Sequence, residues 1–343
     1  MSKRVALVLG SGGARGYAHI GVIEELEARG YRIACIAGSS MGAVVGGIYA
    51  AGKLPVYRRW VETLDYLDVL RLLDISFSLG AIRGERVFGR IRQFLGEINI
   101  EDLPIPYTAV ATDLTSQQEV WFQEGCLHQA MRASAAIPSL FTPVVQGARV
   151  LVDGGLLNPI PIVPVVASRC DLIVAVNVNA SNQLQYELPV IERPQALRQR
   201  LDHMFESIGA LGARLNLRRR DDELPALLVP EAGEPHGSPR GVASARASHL
   251  HVMEHEAPDT LLELVNQSLD VMQNSLAQYK IAGYPPDILI NVPKRVCRFF
   301  EFHKAPELIA LGRQIAGDVL DRYEREHPGM PRTAAPEAAP RTP

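Results

Sequence analysis

The sequence predicts an α/β protein of three layers, with helices on both faces of a mostly parallel sheet. Three observations lead there. The runs 5–9, 33–37 and 172–176 are continuously apolar and of strand length, as expected of strands buried on both faces. The first two feed directly into glycine-containing turns followed by helical patterns. A third glycine turn, Asp153-Gly154-Gly155, ends another apolar strand at 149–152, so chemistry-bearing residues gather where strands end.

In chain order, strand 5–9 enters Gly10-Ser11-Gly12-Gly13-Ala14-Arg15-Gly16. A helix follows, with Ile20, Ile23 and Leu26 on one face and Glu24, Glu25, Glu27 and Arg29 largely on the other, closed by Gly30. Strand, loop and helix make an anion site, because free N–H groups and the positive helix end point at whatever binds. The spacing is G-x-G-x-x-x-G, and the next strand ends in Gly38-Ser39-Ser40 with no acid for a ribose; a dinucleotide turn fits poorly. No Gly-Lys-Ser/Thr follows, which excludes a Walker loop. An oxyanion hole needs the same donors.

Gly38-Ser39-Ser40-Met41-Gly42 is a G-x-S-x-G sequence between a strand and a helix, the pattern of a nucleophile elbow that exposes the serine Oγ. The bland alternative is a serine in a glycine turn. Residues 54–73 read as one helix, and 64–79 as a core-facing helix and loop or a lid or interfacial patch. Residues 85–95 read as a helix, 107–111 and 119–122 as a hairpin, 127–134 as a short helix and 135–143 as an apolar loop able to wall a pocket. Residues 158–168 read as a proline-interrupted helix, 287–292 as a last strand and 306–325 as a last helix. Asp153 is either a turn-making aspartate or a carboxylate delivered to the sheet edge. The expected organisation is a catalytic domain at 5–180 and an α-rich variable segment at 181–286, with helices near 195–220 and 258–280. A terminal strand and helix at 287–328 and a disordered tail at 329–343 complete it.

Composition narrows the class. A chain of 343 residues can bury a full core, and a net charge of −3 gives no electrostatic case for nucleic acid. Four widely spaced cysteines show neither metal nor redox spacing and read as reduced packing residues of a cytoplasmic protein. His249, His251 and His255 lack the partner segment a metal site needs. No apolar run reaches the roughly 18 residues that span a bilayer, so membrane contact would be peripheral, at the inner face.

These motifs, in this order and spacing, resemble the patatin-like phospholipase family, in particular its bacterial cytoplasmic members and the catalytic domain of neuropathy target esterase. The likeness is carried by the Gly10–Gly16 loop, the Gly38–Gly42 elbow, Asp153-Gly154-Gly155, and the stretch Arg132-Ala133-Ser134-Ala135-Ala136-Ile137-Pro138. Ser11 interrupts the glycine run usual in that loop. The resemblance implies a patatin-like α/β/α fold with an α-rich C-terminal addition. It also implies a Ser40–Asp153 dyad that hydrolyses lipid acyl esters without histidine, metal or cofactor. The oxyanion hole would be formed around Ser11, Gly12, Gly13 and Arg15, with Gly38, Gly42, Gly154 and Gly155 shaping the turns. Arg15 would support the loop, meet a phosphate headgroup or form a structural salt bridge. Two rivals remain: a Ser-His-Asp hydrolase using His203 or His303, and a non-catalytic lipid- or anion-binding module. His19, inside the first helix, reads as a packing residue.

Overall fold

In the computed structural model, residues 3–72, 84–138, 141–180, 186–189, 191 and 261–328 are described. The elements in chain order begin β1 (Arg4–Leu9), α1 (Ala18–Ala28), β2 (Arg32–Ser39), α2 (Met41–Ala50), α3 (Leu54–Glu62), α4 (Tyr66–Leu72) and α5 (Glu85–Leu95). They continue β3 (Tyr107–Asp113), β4 (Gln118–Phe122), α6 (Leu127–Ser134), β5 (Val144–Gln146), β6 (Arg149–Asp153) and α7 (Val163–Val166). The last are β7 (Leu172–Ala180), α8 (Leu261–Gly283), β8 (Ile288–Pro293) and α9 (Ala305–Glu326).

The strands form one mixed sheet. Its core, in the order β3-β2-β1-β7-β8, is parallel, and β4, β5 and β6 add antiparallel pairings at the β3 side. The continuous apolar runs are explained by burial on both faces. Val5, Leu7 and Leu9 of β1 point into the main core, with Ile20 and Ile23 of α1, Val45 and Ile48 of α2, and Leu308 and Ile315 of α9. Ala6 and Val8 point the other way, into a smaller cluster with Ala37, Ala175, Ile160, Ile162, Val165 and Ala277. Bulky residues on one face and mostly alanines on the other set the distances of the two helical layers.

Two sequence expectations are corrected, and one strand carries no sequence signal. The helix expected over 54–73 is two helices, because Asp65 Oδ1 accepts the Asp68 N–H at 2.7 Å and starts α4, while Thr63 Oγ1 donates to the Trp60 carbonyl and closes α3. Over 158–168 only Val163–Val166 is helical; Pro159, Pro161 and Pro164 remove amide donors, and Ile160 and Ile162 are buried as sheet-covering residues instead. The three-residue strand β5 was not foreseen, being too short to carry a pattern. The expected helix near 195–220, the histidines at 249, 251 and 255, His203, the tail at 329–343 and residues 73–79 of the apolar stretch lie outside the described residues.

The pairing at β3 determines where the site forms. Ala109 through Asp113 pair with β4 on one edge, so every other neighbour of those residues lies on the opposite edge. There, Gly38 and Ser39 of β2 stand opposite Ala109 and Val110, and Asp153, Val152 and Leu151 of β6 stand opposite Ala111, Thr112 and Asp113. β2 runs parallel to β3 and β6 antiparallel, so their C-terminal ends meet head-on along a single edge. β6 arrives there in a hairpin with β5, closed by the two-residue turn Gly147-Ala148 beyond the Gln146–Arg149 pair. The next residue, Gly154, is squeezed into the junction. A Cβ on it would lie 1.9 Å from the Val110 carbonyl oxygen and 2.7 Å from Ser39 Oγ. Gly154→Ala should therefore force the strand ends apart, costing about 1–3 kcal/mol of stability. Thermal unfolding checks this, and an unchanged midpoint would show the junction to be slack.

Candidate active site

Ser40 is the residue on which β2 turns into α2. Its backbone sits at φ 55°, ψ −123°, a conformation in which a non-glycine residue stores roughly 1–3 kcal/mol of strain. α2 can follow so abruptly because Gly42 lies against the end of β1, where a Cβ would come 2.1 Å from the Leu9 carbonyl. The turn is held from both sides. The Ser40 N–H donates to Ser134 Oγ at 2.9 Å, and the Ser40 carbonyl accepts the Val44 N–H of α2.

The Ser40 hydroxyl donates to Asp153 Oδ2 at 2.5 Å, and the other carboxylate oxygen, Oδ1, accepts the Gly155 N–H at 2.7 Å. The two residues are 113 positions apart in the chain and both are buried. Burial pushes the Asp153 carboxyl up to about 7, although its hydrogen bonds from Ser40 and Gly155 pull the other way. Among the described residues no histidine nitrogen bonds to either group. His19 is buried, and its Nε2–H donates to the Gly10 carbonyl at 2.8 Å; desolvation lowers its pKa to about 4, so it is neutral and serves the loop. His303 stacks edge-on against Tyr66.

The glycine loop divides its donors. The Gly10 N–H goes to the Val176 carbonyl, the Ser11 N–H to Pro159 and the Ala14 N–H to Phe299. Gly12 and Gly13 spend their N–H groups on no acceptor among the described residues, and Gly13 shares the lining of one cavity with Ser40. Of the residues expected around the oxyanion hole, Ser11 thus has its amide committed elsewhere, and its hydroxyl faces Gln273 of α8 at 3.3 Å. Arg15 is buried with its guanidinium 3.6 Å from Asp270 of α8 and donating to the Lys294 carbonyl, the salt-bridge alternative of the sequence reading. Gly38 and Gly155 pack within 3 Å, as measured from a hypothetical Cβ, of Gly42 and Ser11 respectively.

The cavity lined in part by Ser40 holds about 670 Å³ of empty space, its open mouth included. Its walls are apolar: Met41 and Val44 of α2, Tyr57 and Trp60 of α3, Leu64, Val69 and Leu72, and Phe88 and Ile91 of α5. Ala135, Ile137 and Phe141 supply the wall expected of the 135–143 loop. Among the described residues no cluster of His, Cys, Asp and Glu could hold a metal.

Ser134 is the residue whose part was not read from the sequence. Its hydroxyl is fully buried, donates to the Val110 carbonyl at 2.5 Å and accepts the Ser40 N–H. Two residues on, the Ala136 carbonyl accepts the Asp153 N–H at 2.9 Å. One stretch therefore holds the backbones of both Ser40 and Asp153. The signal was available, since the stretch from Arg132 to Pro138 was singled out as part of the resemblance.

A family model for patatin-like phospholipase matches residues 7–166. An uncharacterized NTE family protein of Mycobacterium tuberculosis is 43% identical over 338 residues, covering 94% of this chain and 93% of that one. The chain belongs to the NTE family of patatin-like phospholipases. Lysophospholipase NTE1 of Eremothecium gossypii is 32% identical over 183 residues, which is 52% of this chain and 12% of that protein. Among solved structures, VipD from Legionella pneumophila aligns with a TM-score of 0.48 at 16% identity, covering 94% of this chain and 67% of that one.

Replacing Ser134 by Ala orphans the Val110 carbonyl and frees the strained Ser40 amide. We expect a stability loss of about 1–3 kcal/mol and, where Ser40 is the reacting group, a kcat about 10- to 100-fold lower with little change in KM, as for an interaction that orients that group. Steady-state kinetics beside a melting curve measure both.

Proposed function

We propose that this chain is a serine acyl hydrolase that cleaves lipid acyl esters with the pair Ser40 and Asp153. The observation that carries the reading is the Ser40 Oγ–Asp153 Oδ2 hydrogen bond, with Ser40 itself lining an apolar cavity. As Oγ attacks the ester carbonyl, its proton passes to Asp153 Oδ2. The developing oxyanion takes the N–H groups of Gly12 and Gly13, and each such donor is worth about 3 kcal/mol in the transition state. Asp153 then protonates the departing alcohol oxygen, leaving an acyl-Ser40 ester. In the second half Asp153 takes a proton from water, the hydroxide attacks the acyl carbon, and Ser40 leaves with the proton returned by Asp153. No step needs a metal or a cofactor.

Desolvation makes the mechanism possible. A carboxylate in water is too weak a base to help a hydroxyl, whereas one whose pKa lies near 7 is matched to the task at neutral pH. The cavity walls suit a single acyl chain, in keeping with the lysophospholipase name of the fungal relative. No described helix is long and apolar enough to cross a membrane, and contact with a lipid surface would be peripheral.

Labelling by a fluorophosphonate probe should fall on Ser40 and vanish in Ser40→Ala, while lysophospholipid and short-ester hydrolysis drops at least 10³-fold in Ser40→Ala and Asp153→Asn. Each His→Ala variant should keep its activity. Loss of turnover in a folded histidine variant would favour a Ser-His-Asp enzyme, and an unlabelled Ser40 with no turnover would favour a binding module.

The pH dependence follows from the raised Asp153 pKa. Activity should rise with pH to half its plateau near 7, because the carboxyl must be ionised to act as base. Stability runs oppositely. The native state holds this proton more tightly than the unfolded chain, so the contribution is fully present below about pH 4 and lost as pH rises through about 7. Asp153→Asn removes that slope, and its melting point should gain on the wild type between pH 4 and 8.

A further inference from the structure

Two cysteines that the sequence places 135 positions apart meet in the fold, with Cys35 Sγ 3.8 Å from Cys170 Sγ. Cys35 is on β2 and Cys170 lies two residues before β7, on the other side of β1. A bulge brings them together. Val5 of β1 pairs with Ile33, but Ala6 pairs with Cys35, so Ala34 is an extra residue in β2. Ile33 faces the main core, and the extra residue turns Cys35 to the opposite face, beside Ala37 and Ala6. Cys170 packs against that same face and is anchored through its neighbour. The Asp171 N–H donates to the Arg4 carbonyl at 2.8 Å, and Asp171 Oδ2 accepts the Arg4 N–H at 2.7 Å. Both residues are half-buried, and both cysteines are free.

We propose that Cys35 and Cys170 are a modification site that closes to a reversible disulfide under peroxide. Convergence of the two sulfurs by under 2 Å reaches bonding distance. In the first step Cys170 Sγ attacks one oxygen of hydrogen peroxide, the O–O bond breaks, and the products are a Cys170 sulfenic acid and water. In the second, Cys35 Sγ attacks Cys170 Sγ, the S–O bond breaks, and the hydroxide leaves as water with the Cys35 proton. The two thiols lose two electrons and two protons, and one peroxide becomes two waters. Burial pushes the Cys35 thiol up to about 11.

The bond would have a use. Ser40, Ser134 and Asp153 all lie in the chain between the two cysteines, so the cross-link would staple the segment carrying them at its base. Closing a loop of this length restrains the unfolded chain most.

The experiment uses the full chain, oxidised with hydrogen peroxide and mapped by mass spectrometry without reduction. The expected result is a Cys35–Cys170 peptide pair 2 Da lighter than its parts, titratable thiols falling from four to two, and a melting point up by about 5 °C. Dithiothreitol should reverse all three. Cys35→Ser and Cys170→Ser should each keep hydrolysis and lose the shift. Sulfinic acid on unlinked cysteines, a link involving Cys126 or Cys297, or a Cys35–Cys170 link with no rise in melting point would each overturn the proposal. The mapping is made on wild-type protein, so it stands even where a serine variant folds poorly.

Discussion

The site depends on one backbone carbonyl. Val110 O lies where β2 and β6 end against each other, and there it accepts the Ser134 hydroxyl. Left alone in the interior it would cost about 1–3 kcal/mol. The Ser134 hydroxyl satisfies the carbonyl and takes the Ser40 N–H in turn. Everything catalytic in the proposed mechanism is then a consequence of two chain ends sharing an edge. The serine turns out of β2, the aspartate stops β6, and the distance between them is set by β3 rather than by any loop.

Around this junction charge is scarce. Asp153 receives two hydrogen bonds and has no cation among the groups that move its pKa. The Arg15 guanidinium is turned to Asp270 and the Lys294 carbonyl, and His19 is neutral. The apolar cavity walls would hold an acyl chain, while burial beside Ser40 raises the pKa of the Asp153 carboxyl. In the proposed mechanism the loop amides of Gly12 and Gly13 supply polarity without charge.

The fold was legible because buried parallel strands write themselves as apolar runs, and β1, β2 and β7 do so plainly. Ser40 and Asp153 were legible as candidates because glycines mark the places where backbones touch. What stayed hidden has a common cause: it depends on residues that carry no pattern. The break between α3 and α4 rests on one capping aspartate, Asp65, inside an otherwise helical spacing. Ser11 read as a donor in the loop, yet its amide is taken by Pro159 from a segment nearly 150 residues away. Ser134 looked like one small residue among alanines until the edge of β3 gave its hydroxyl two partners.

The hairpin that delivers β6 turns on Gly147 and Ala148, with Gly147 at φ 60°. Strand side chains alternate, so sliding β6 by one residue along β3 would set Val152 or Gly154 opposite Ala111 and turn the carboxylate to the other face of the sheet. Surface turns usually absorb an inserted residue without consequence. This one acts as a register stop. Its length selects which side chain, five residues beyond the turn, is presented to Ser40.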